Sequence, residues 1–470
     1  MAGPYPVRMA GSPLNDARRP WGCFGCVGVI VLAMLIGGAF VAYDRLRGPS
    51  EVSNPSVEFV AEDPPAPEAP AAPEDAEDTY DDGADWPVYG GNPQRTRYQP
   101  FATRNTTIRP PLTEQWGSTG KVLLEFPPVL CGRRLYVLRN DALLRAIDRR
   151  TGRTVWQKRV GRLAASSPAC ADGRIYATVL RRNKFNAGGQ IIALRASNGK
   201  RVWRVVLGSR TESSPLIAGD HVVFGTEKGE VLALHRVTGR VVWRYRANGA
   251  VKAAVAMEGN TLYVGDYSGR LHAIWARSGK KRWVTDLDGS LYSTPAVAYG
   301  RVFVGNINRS VVAVGAETGR IAWRRRAEGF VYSAPAVAPV RGKGPTVFIG
   351  SYGGQLLALD ARSGRTRWSR NLGGRISGGI TVVGDLVMYA NLGRKSLGIR
   401  RASNGDLLYS HRSGAFDPGI SDGRRLYINT YTSVYHLVPK GQVAKDETSL
   451  RQAKQARRAN QKAERAARAD

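Results

Sequence analysis

An aromatic residue recurs along this 470-residue chain at nearly constant intervals. The marks are Trp116, Trp156, Trp203, Trp243, Trp283, Trp323 and Trp368, with Tyr409 in an eighth equivalent place. Their spacings are 40, 47, 40, 40, 40, 45 and 41 residues. Seven marks close a common pattern: a small residue, a few polar ones, a Gly turn, then the aromatic. AIDRRTGRTVW, ALHRVTGRVVW and AVGAETGRIAW are three of the seven stretches. A period near 40 in β-type sequence marks a four-strand propeller blade, whose apolar faces are buried only when repeats stack.

The stretch from Tyr292 to Trp323 shows what one repeat builds. TPAVA, RVFVG, SVVAVGA and IAWRRR read as four short strands between turn residues. The aromatic then falls on the outermost strand, where its flat ring wedges between neighbouring blades and leaves water. An aromatic ligand platform would want such residues unevenly placed, and they are even. Eight units of three inner strands begin near Phe126, Ser166, Ser213, Lys252, Ser293, Ser333, Ser377 and Asp417. The last lacks a closing strand, and the strand around Trp116 lacks inner ones. Joined, they close the ring without an open seam. The predicted fold is all-β: an eight-bladed propeller of four-stranded antiparallel blades, clasped by strands from both chain ends. Seven blades result if the segment Phe416–Pro439 packs elsewhere.

ALDARSGRTRW at Ala358–Trp368 resembles the repeat of the pyrroloquinoline-quinone (PQQ) type propellers. The preceding DWPVYGGNPQRTRY at Asp85–Tyr98 is similar to the segment that leads into that family's first blade, and Ser167-Pro168, Ser214-Pro215, Thr294-Pro295 and Ala334-Pro335 resemble its blade openings. The resemblance covers about Trp86 to Pro439. It implies the fold, and it admits two kinds of function. The family includes quinone-dependent alcohol and sugar dehydrogenases. It also includes non-enzymatic members, such as the propeller lipoprotein of the outer-membrane barrel-assembly machinery. Fold alone does not choose between them.

The flanks suggest a tethered protein. Residues 1–20 form a short cytoplasmic segment. Trp21–Tyr43 holds 23 residues without a charge, about 34 Å as a helix, enough to span a hydrocarbon core. Arg8, Arg18 and Arg19 before it favour a cytoplasmic N-terminus and a propeller outside, in a single-pass membrane protein. A cleaved signal peptide is the alternative. Cys23 and Cys26 lack further metal ligands. Residues 44–85 are read as a disordered linker: from Gly48 on it holds twelve Asp and Glu and no Lys or Arg. The propeller is predicted over 86–440 and a solvated basic tail over 441–470.

Charge is uneven as well. The formal net charge is +31, and residues 86–440 hold 56 Lys and Arg against 20 Asp and Glu. Many of these cations fall in turns that emerge on one face of the disc, among them Arg149, Lys200, Arg240, Lys280, Arg320, Arg133, Arg301 and Arg341. Such a face attracts polyanions in a salt-dependent way. Anionic lipid, cell-wall polymer, free nucleic acid and the chain's own acidic linker are candidates. No helix-turn-helix, zinc finger or RNA-type aromatic motif suggests specific nucleic-acid binding.

The opposite face carries the channel mouth. There the blade openings offer Phe126, Glu212, Lys252, Tyr292, Tyr332, Arg375, Phe416 and Asp417, and an insertion offers Arg181, Arg182 and Lys184. A funnel of aromatics with a few charges suits a small molecule or a peptide; the alternative is a wet channel without a function. The family's dehydrogenases hold PQQ on Ca²⁺ with a Glu/Asn/Asp ligand set, and many carry adjacent cysteines. Here no two cysteines are adjacent, Glu212 and Asp417 lie on distant blades, and neither a nucleophile elbow nor a phosphate loop is present. Cys131 and Cys170 end first strands in neighbouring blades and are candidates for a disulfide. The expectation is a non-enzymatic binding or scaffold module without a cofactor, docking envelope proteins or anionic envelope polymers. The alternatives are a PQQ/Ca²⁺ dehydrogenase and a small-ligand sensor.

Overall fold

The computed structural model describes residues 50–61, 84–101, 108–182, 187–414 and 416–440, with 455 and 458 besides. The chain divides into Met1–Gly48, outside the described residues, and Pro49–Asp470. The membrane helix expected over 21–43 therefore lies outside them, as does most of the tail. Among the described residues, no helix is long and apolar enough to cross a membrane.

Eight sheets form eight blades, each of four antiparallel strands; in blade 7, Tyr98–Gln99 adds a parallel pair beside Thr381–Val383. Blade 1 takes Val129–Cys131, Arg134–Leu138, Leu143–Asp148 and Thr154–Arg159, from the channel outward. Blades 2 to 7 repeat this order and end in Arg201–Leu207, Val241–Arg246, Lys281–Asp286, Ile321–Arg326, Thr366–Asn371 and Leu407–His411. Blade 8 joins Gly419–Ser421, Leu426–Asn429 and Val434–Pro439 to Leu112–Ser118. The clasp is thus present, and Phe416–Pro439 belongs to the ring. Middle strands are apolar on both faces because each blade is sandwiched between two others: Val302, Val304, Val311 and Val312 are all fully buried.

The repeat pattern now has a mechanical reading. The small residue that opens it lies directly across from the aromatic, as in Ala146 with Trp156 and Ala358 with Trp368. The indole then reaches into the next blade. Trp156, Trp203, Trp243, Trp283, Trp323 and Trp368 donate to Ala196, Arg236, Ala276, Ala316, Ala361 and Ala402 carbonyls at 2.8–3.0 Å. Trp116 donates to Arg149 at 3.1 Å, so the clasp blade docks on blade 1 like any other pair. The pattern's Gly lies under the incoming ring. At Gly364 φ is +69°, and a Cβ there would stand 2.6 Å from the Trp323 ring. Gly364→Ala is therefore expected to cost about 1–3 kcal/mol through left-handed strain and a displaced indole. Denaturant unfolding measures it; a neutral substitution would refute this reading.

Nearer the channel, serines repeat the linkage. Ser167 Oγ donates to Pro127, Ser213 to Ala253 and Ser293 to Ser333, at 2.7–2.9 Å. Cys131 and Cys170, whose Cα atoms are 6.5 Å apart, form a disulfide joining blades 1 and 2. It closes a sequence separation of 39 residues, which predicts a loss of about 2–4 kcal/mol when both are replaced by serine. Calorimetry of the two proteins under non-reducing conditions is the check.

Two segments outside the repeats are also placed. Residues 86–99 run through the channel and touch every blade. Trp86 bridges Leu130, Pro87 accepts from Cys170, Pro93 from Met257, Gln94 from Val297, Thr96 from Val337 and Arg97 from Val382. Arg95 reaches Pro215, and Arg97 pairs with Asp417 at the opening of blade 8. This segment is a plug.

The second segment corrects the linker expectation. Residues 50–61 are docked, not a free spacer. Val52–Ser53 adds a fifth strand to the outer edge of blade 5, opposite Arg324 and Trp323. Val57 is buried, Phe59 stacks on Tyr299, and the Arg301 guanidinium lies over Phe59 and binds the Val57 and Glu58 carbonyls. Glu58 accepts from the Thr318 hydroxyl and amide. Three apolar residues spaced among the acids supply the anchor that a charge count conceals. The cationic face needs a second correction. Arg149 and Arg301 are buried, not part of a solvated rim, whereas Arg133, Lys200, Arg240, Lys280, Arg320 and Arg341 are exposed.

Candidate functional site

One mouth of the channel opens into a cavity of about 720 Å³. Its walls are blade-to-blade loops and the turns between second and third strands; its floor includes Tyr89 of the plug. Phe126, Glu212, Lys252, Tyr292, Tyr332, Arg375, Phe416 and Asp417 all line it. The repeat brings them together: Glu212, Lys252, Tyr292 and Tyr332 each stand four residues before the first strand of their blade, and the others lie in the matching openings of blades 1, 7 and 8.

One wall is an aromatic arc. Tyr267 and Tyr292 have ring centroids 5.6 Å apart, Tyr292 and Tyr332 5.2 Å, and Tyr332 and Tyr352 4.8 Å. Phe330 flanks Tyr332 edge-on, and the Arg375 guanidinium lies 5.8 Å from the Tyr352 ring. Tyr292 and Phe330 remain 39 % and 45 % exposed, so the arc offers ring surface to a ligand. Burial, reinforced by Glu212, pushes the Tyr292 hydroxyl up to about 12. Burial likewise raises Tyr332, with Tyr352 adding to it. These phenols stay protonated and serve as donors.

A charged corner faces the arc. Lys252 Nζ lies 3.2 Å from Glu212 and 3.5 Å from Glu227, and Arg210 lies 3.6 Å and 3.5 Å from the same two carboxylates. Burial raises the Glu212 carboxyl, against the pull of Lys252. Asp417 requires a correction. It lines the cavity, but its carboxylate is buried against Arg97 instead of being offered to a partner. Burial works against the Arg97 charge, but Asp417 and Tyr89 together outweigh it and raise that guanidinium's pKa, while burial raises the Asp417 carboxyl against the pull of Arg97.

Arg181 and Arg182 end the strand Arg174–Arg182 of blade 2, and Lys184 lies outside the described residues. Conversely, sequence reasoning passed over Tyr267, Phe330 and Tyr352. Tyr267 and Tyr352 hold the same repeat position, in DYSG and SYGG, and that coincidence was the available signal.

A quinone held on calcium would need six to eight oxygen ligands around the ion. The cavity's carboxylates are already engaged: Asp417 by Arg97, Glu212 by Lys252 and Arg210, and Glu125 by the Asn140 amide at 3.0 Å. Among the described residues, no three His, Cys, Asp or Glu come together as a metal group. This donor set does not fit the pair.

Comparison with known proteins comes down on the same architecture. A family model described as outer membrane protein assembly factor BamB matches residues 113–250 and 227–446. The structure of BamB from Moraxella catarrhalis is 18 % identical, with a TM-score of 0.58 over 70 % of this chain and 98 % of that one. A europium-containing methanol dehydrogenase is 15 % identical, TM-score 0.64, covering 76 % and 98 %. A quinohemoprotein alcohol dehydrogenase from Comamonas testosteroni is 17 % identical, TM-score 0.61, covering 76 % and 81 %. At these identities the likeness is one of fold. A search of curated proteins by sequence finds no match.

Proposed function

This chain belongs to the family described as outer membrane protein assembly factor BamB, and from that premise we propose that it is a non-enzymatic scaffold of the cell envelope that holds a segment of a client or partner protein in its funnel. The observation that carries this reading is the aromatic arc, open to solvent on a plugged and rigid ring, beside carboxylates already bound to cations. Exposed aromatic anchors in a concave site are what peptide side chains seek. The disulfide between Cys131 and Cys170 supports a location outside the cytoplasm. The uncharged stretch 21–43 supports a membrane tether.

The ring's rigidity is the working part. Seven indole bonds, the serine linkages and the plug hold the blade openings in fixed register, so Tyr292, Tyr332 and Arg375 meet a partner pre-organised and lose little entropy on binding. A second reading, capture of a small ligand, is favoured by the cavity volume of about 720 Å³, which lies in the usual range for small-molecule sites.

A photo-crosslinker at Phe330 in cells, followed by mass spectrometry, is expected to capture a defined envelope protein, and Tyr332→Ala to reduce that yield several-fold. Titration of the full chain with PQQ and Ca²⁺ is expected to give no stoichiometric change in absorbance. Stoichiometric binding would overturn the scaffold reading in favour of a quinoprotein.

A further inference from the structure

Blades 1 to 7 present the turn between their third and fourth strands on the face of the disc opposite the funnel. In six of them a cation follows the turn glycine directly: Arg153, Lys200, Arg240, Lys280, Arg320 and Arg365, with Asp406 in blade 7. All six cations are exposed, and among the described residues none of them is in an ion pair. Equivalent places in a closed ring of blades lie on one circle, so these charges share one level of the disc.

Blade 4 departs from the repeat at the residue that enters this turn. In blades 1 and 6 that residue is an aspartate that caps its own turn: Asp148 accepts from the Thr151 amide at 2.8 Å, and Asp360 from the Ser363 amide at 2.7 Å. In blade 3, His235 accepts from the Thr238 amide at 3.3 Å. Blade 4 has Trp275, whose ring nitrogen only donates, so the cap is given up. The indole is not withdrawn into the ring either. It is 39 % exposed, and the Arg282 guanidinium lies 4.2 Å from its centroid while donating to Glu317 of blade 5 at 2.6 Å. An exposed aromatic held in place where the repeat uses a turn cap is the kind of local breach that a function explains. Beside it the turn reads ARSGKKR, in which Arg277, Lys280 and Lys281 are exposed and form no ion pair with a described residue. In the same turn of blade 3, Val237 is exposed as well.

We propose that this face docks on the anionic head groups of a lipid bilayer, with the Trp275 indole entering the interfacial layer and the cations at the level of the phosphates. The charges are spread round a ring, as a flat anionic surface requires, and are not gathered in a groove. The aromatic stands among lysines, which are depleted from protein–protein interfaces. Tryptophan beside Lys and Arg is instead the composition of segments that lie at the boundary of membrane and water. The indole offers an apolar body and an Nε1–H that donates to no described residue, a combination suited to that boundary, where head-group oxygens accept. Attraction to an anionic leaflet falls off within a Debye length, about 8 Å at physiological salt, so the turns themselves must meet the surface. The funnel opens on the other face and stays accessible, and failure of this docking would leave the funnel reading intact.

The test places the full chain in nanodiscs of phosphatidylcholine alone and of phosphatidylcholine mixed with phosphatidylglycerol. Hydrogen exchange reads the turn itself, so association through other parts of the chain does not enter. The Arg277, Ser278 and Lys280 amides are expected to exchange several-fold more slowly in the anionic discs, by a margin that shrinks as salt rises. A Lys280→Glu, Lys281→Glu variant with unchanged melting should lose that protection. Brominated lipid should quench more tryptophan fluorescence in the anionic discs than in the neutral ones, and Trp275→Phe should abolish the gain. Equal exchange in both discs would overturn the proposal, as would protection that survives the double substitution or a quenching gain that survives Trp275→Phe. Short-chain polyphosphate that slows the same amides equally in neutral discs would assign the face to a soluble polymer, and would overturn it as well.

Discussion

Replacing Asp417 by alanine should destabilise the ring by about 3–5 kcal/mol, because it leaves the Arg97 guanidinium buried without its counter-charge. Arg97 is only 1 % exposed, and its Nε donates to the Ile380 carbonyl at 2.6 Å, so the charge cannot escape to water. The same residue lies 4.8 Å from the Tyr89 ring, on the cavity floor. Loss of the pair should therefore also loosen the floor. Denaturant unfolding of Asp417→Ala measures the cost. An Arg97→Met, Asp417→Leu double variant tests the cause, since it removes both charges and should recover most of the loss. If alanine alone costs less than about 1 kcal/mol, the pair is not what seats the plug.

Acid should weaken the clasp blade specifically, through His436. In blade 8 this histidine stands directly across from Trp116, where the other indoles face a small residue. It is fully buried, stacks on Tyr427 at 5.2 Å, and neither ring nitrogen has a hydrogen-bond partner among the described residues. Burial, helped by Arg425, pushes its pKa down from 6.5 to about 3. The folded protein keeps the ring neutral while the unfolded chain takes up a proton below about pH 6.5. Its contribution is therefore complete above that pH and is lost progressively as pH falls toward 3, by at most about 5 kcal/mol over the window. His411 has the opposite sign: its bond to Glu114 raises its pKa, so it favours folding at low pH. The difference between wild type and His436→Leu isolates the buried ring. That difference should grow steadily as pH falls from 6.5 to 4.5; parallel curves would show that His436 reaches solvent.

The architecture was legible because a propeller writes its geometry into a period. Trp116 to Trp368 and their glycines mark both the strand that ends a blade and the turn that receives the next indole. The funnel was legible for the same reason, since residues at one repeat position converge on one axis. What lay outside the period was not. The plug joins Arg97 to Asp417 across 320 residues, and no local pattern announces that pairing. The blade 5 segment was hidden by its own acids, because a charge count gives no weight to Val57 and Phe59. Arg149 lies in a turn and Arg301 opens a strand just after one, like their exposed neighbours in sequence, yet a covering indole or a docked segment buries them.

The clasp also sets a clock on biogenesis. Leu112–Ser118 leaves the ribosome long before Val434–Pro439, its partner strand. At about 5–20 residues per second, that wait is roughly a quarter of a minute to a minute. Throughout it, the nascent chain carries an unmatched sheet edge and a plug without a complete channel. Each newly finished blade can stack on the one before, but none can seal the circle. A holding chaperone that shields Leu112–Ser118 would matter most during that interval, and its need would end abruptly once the last strand arrives.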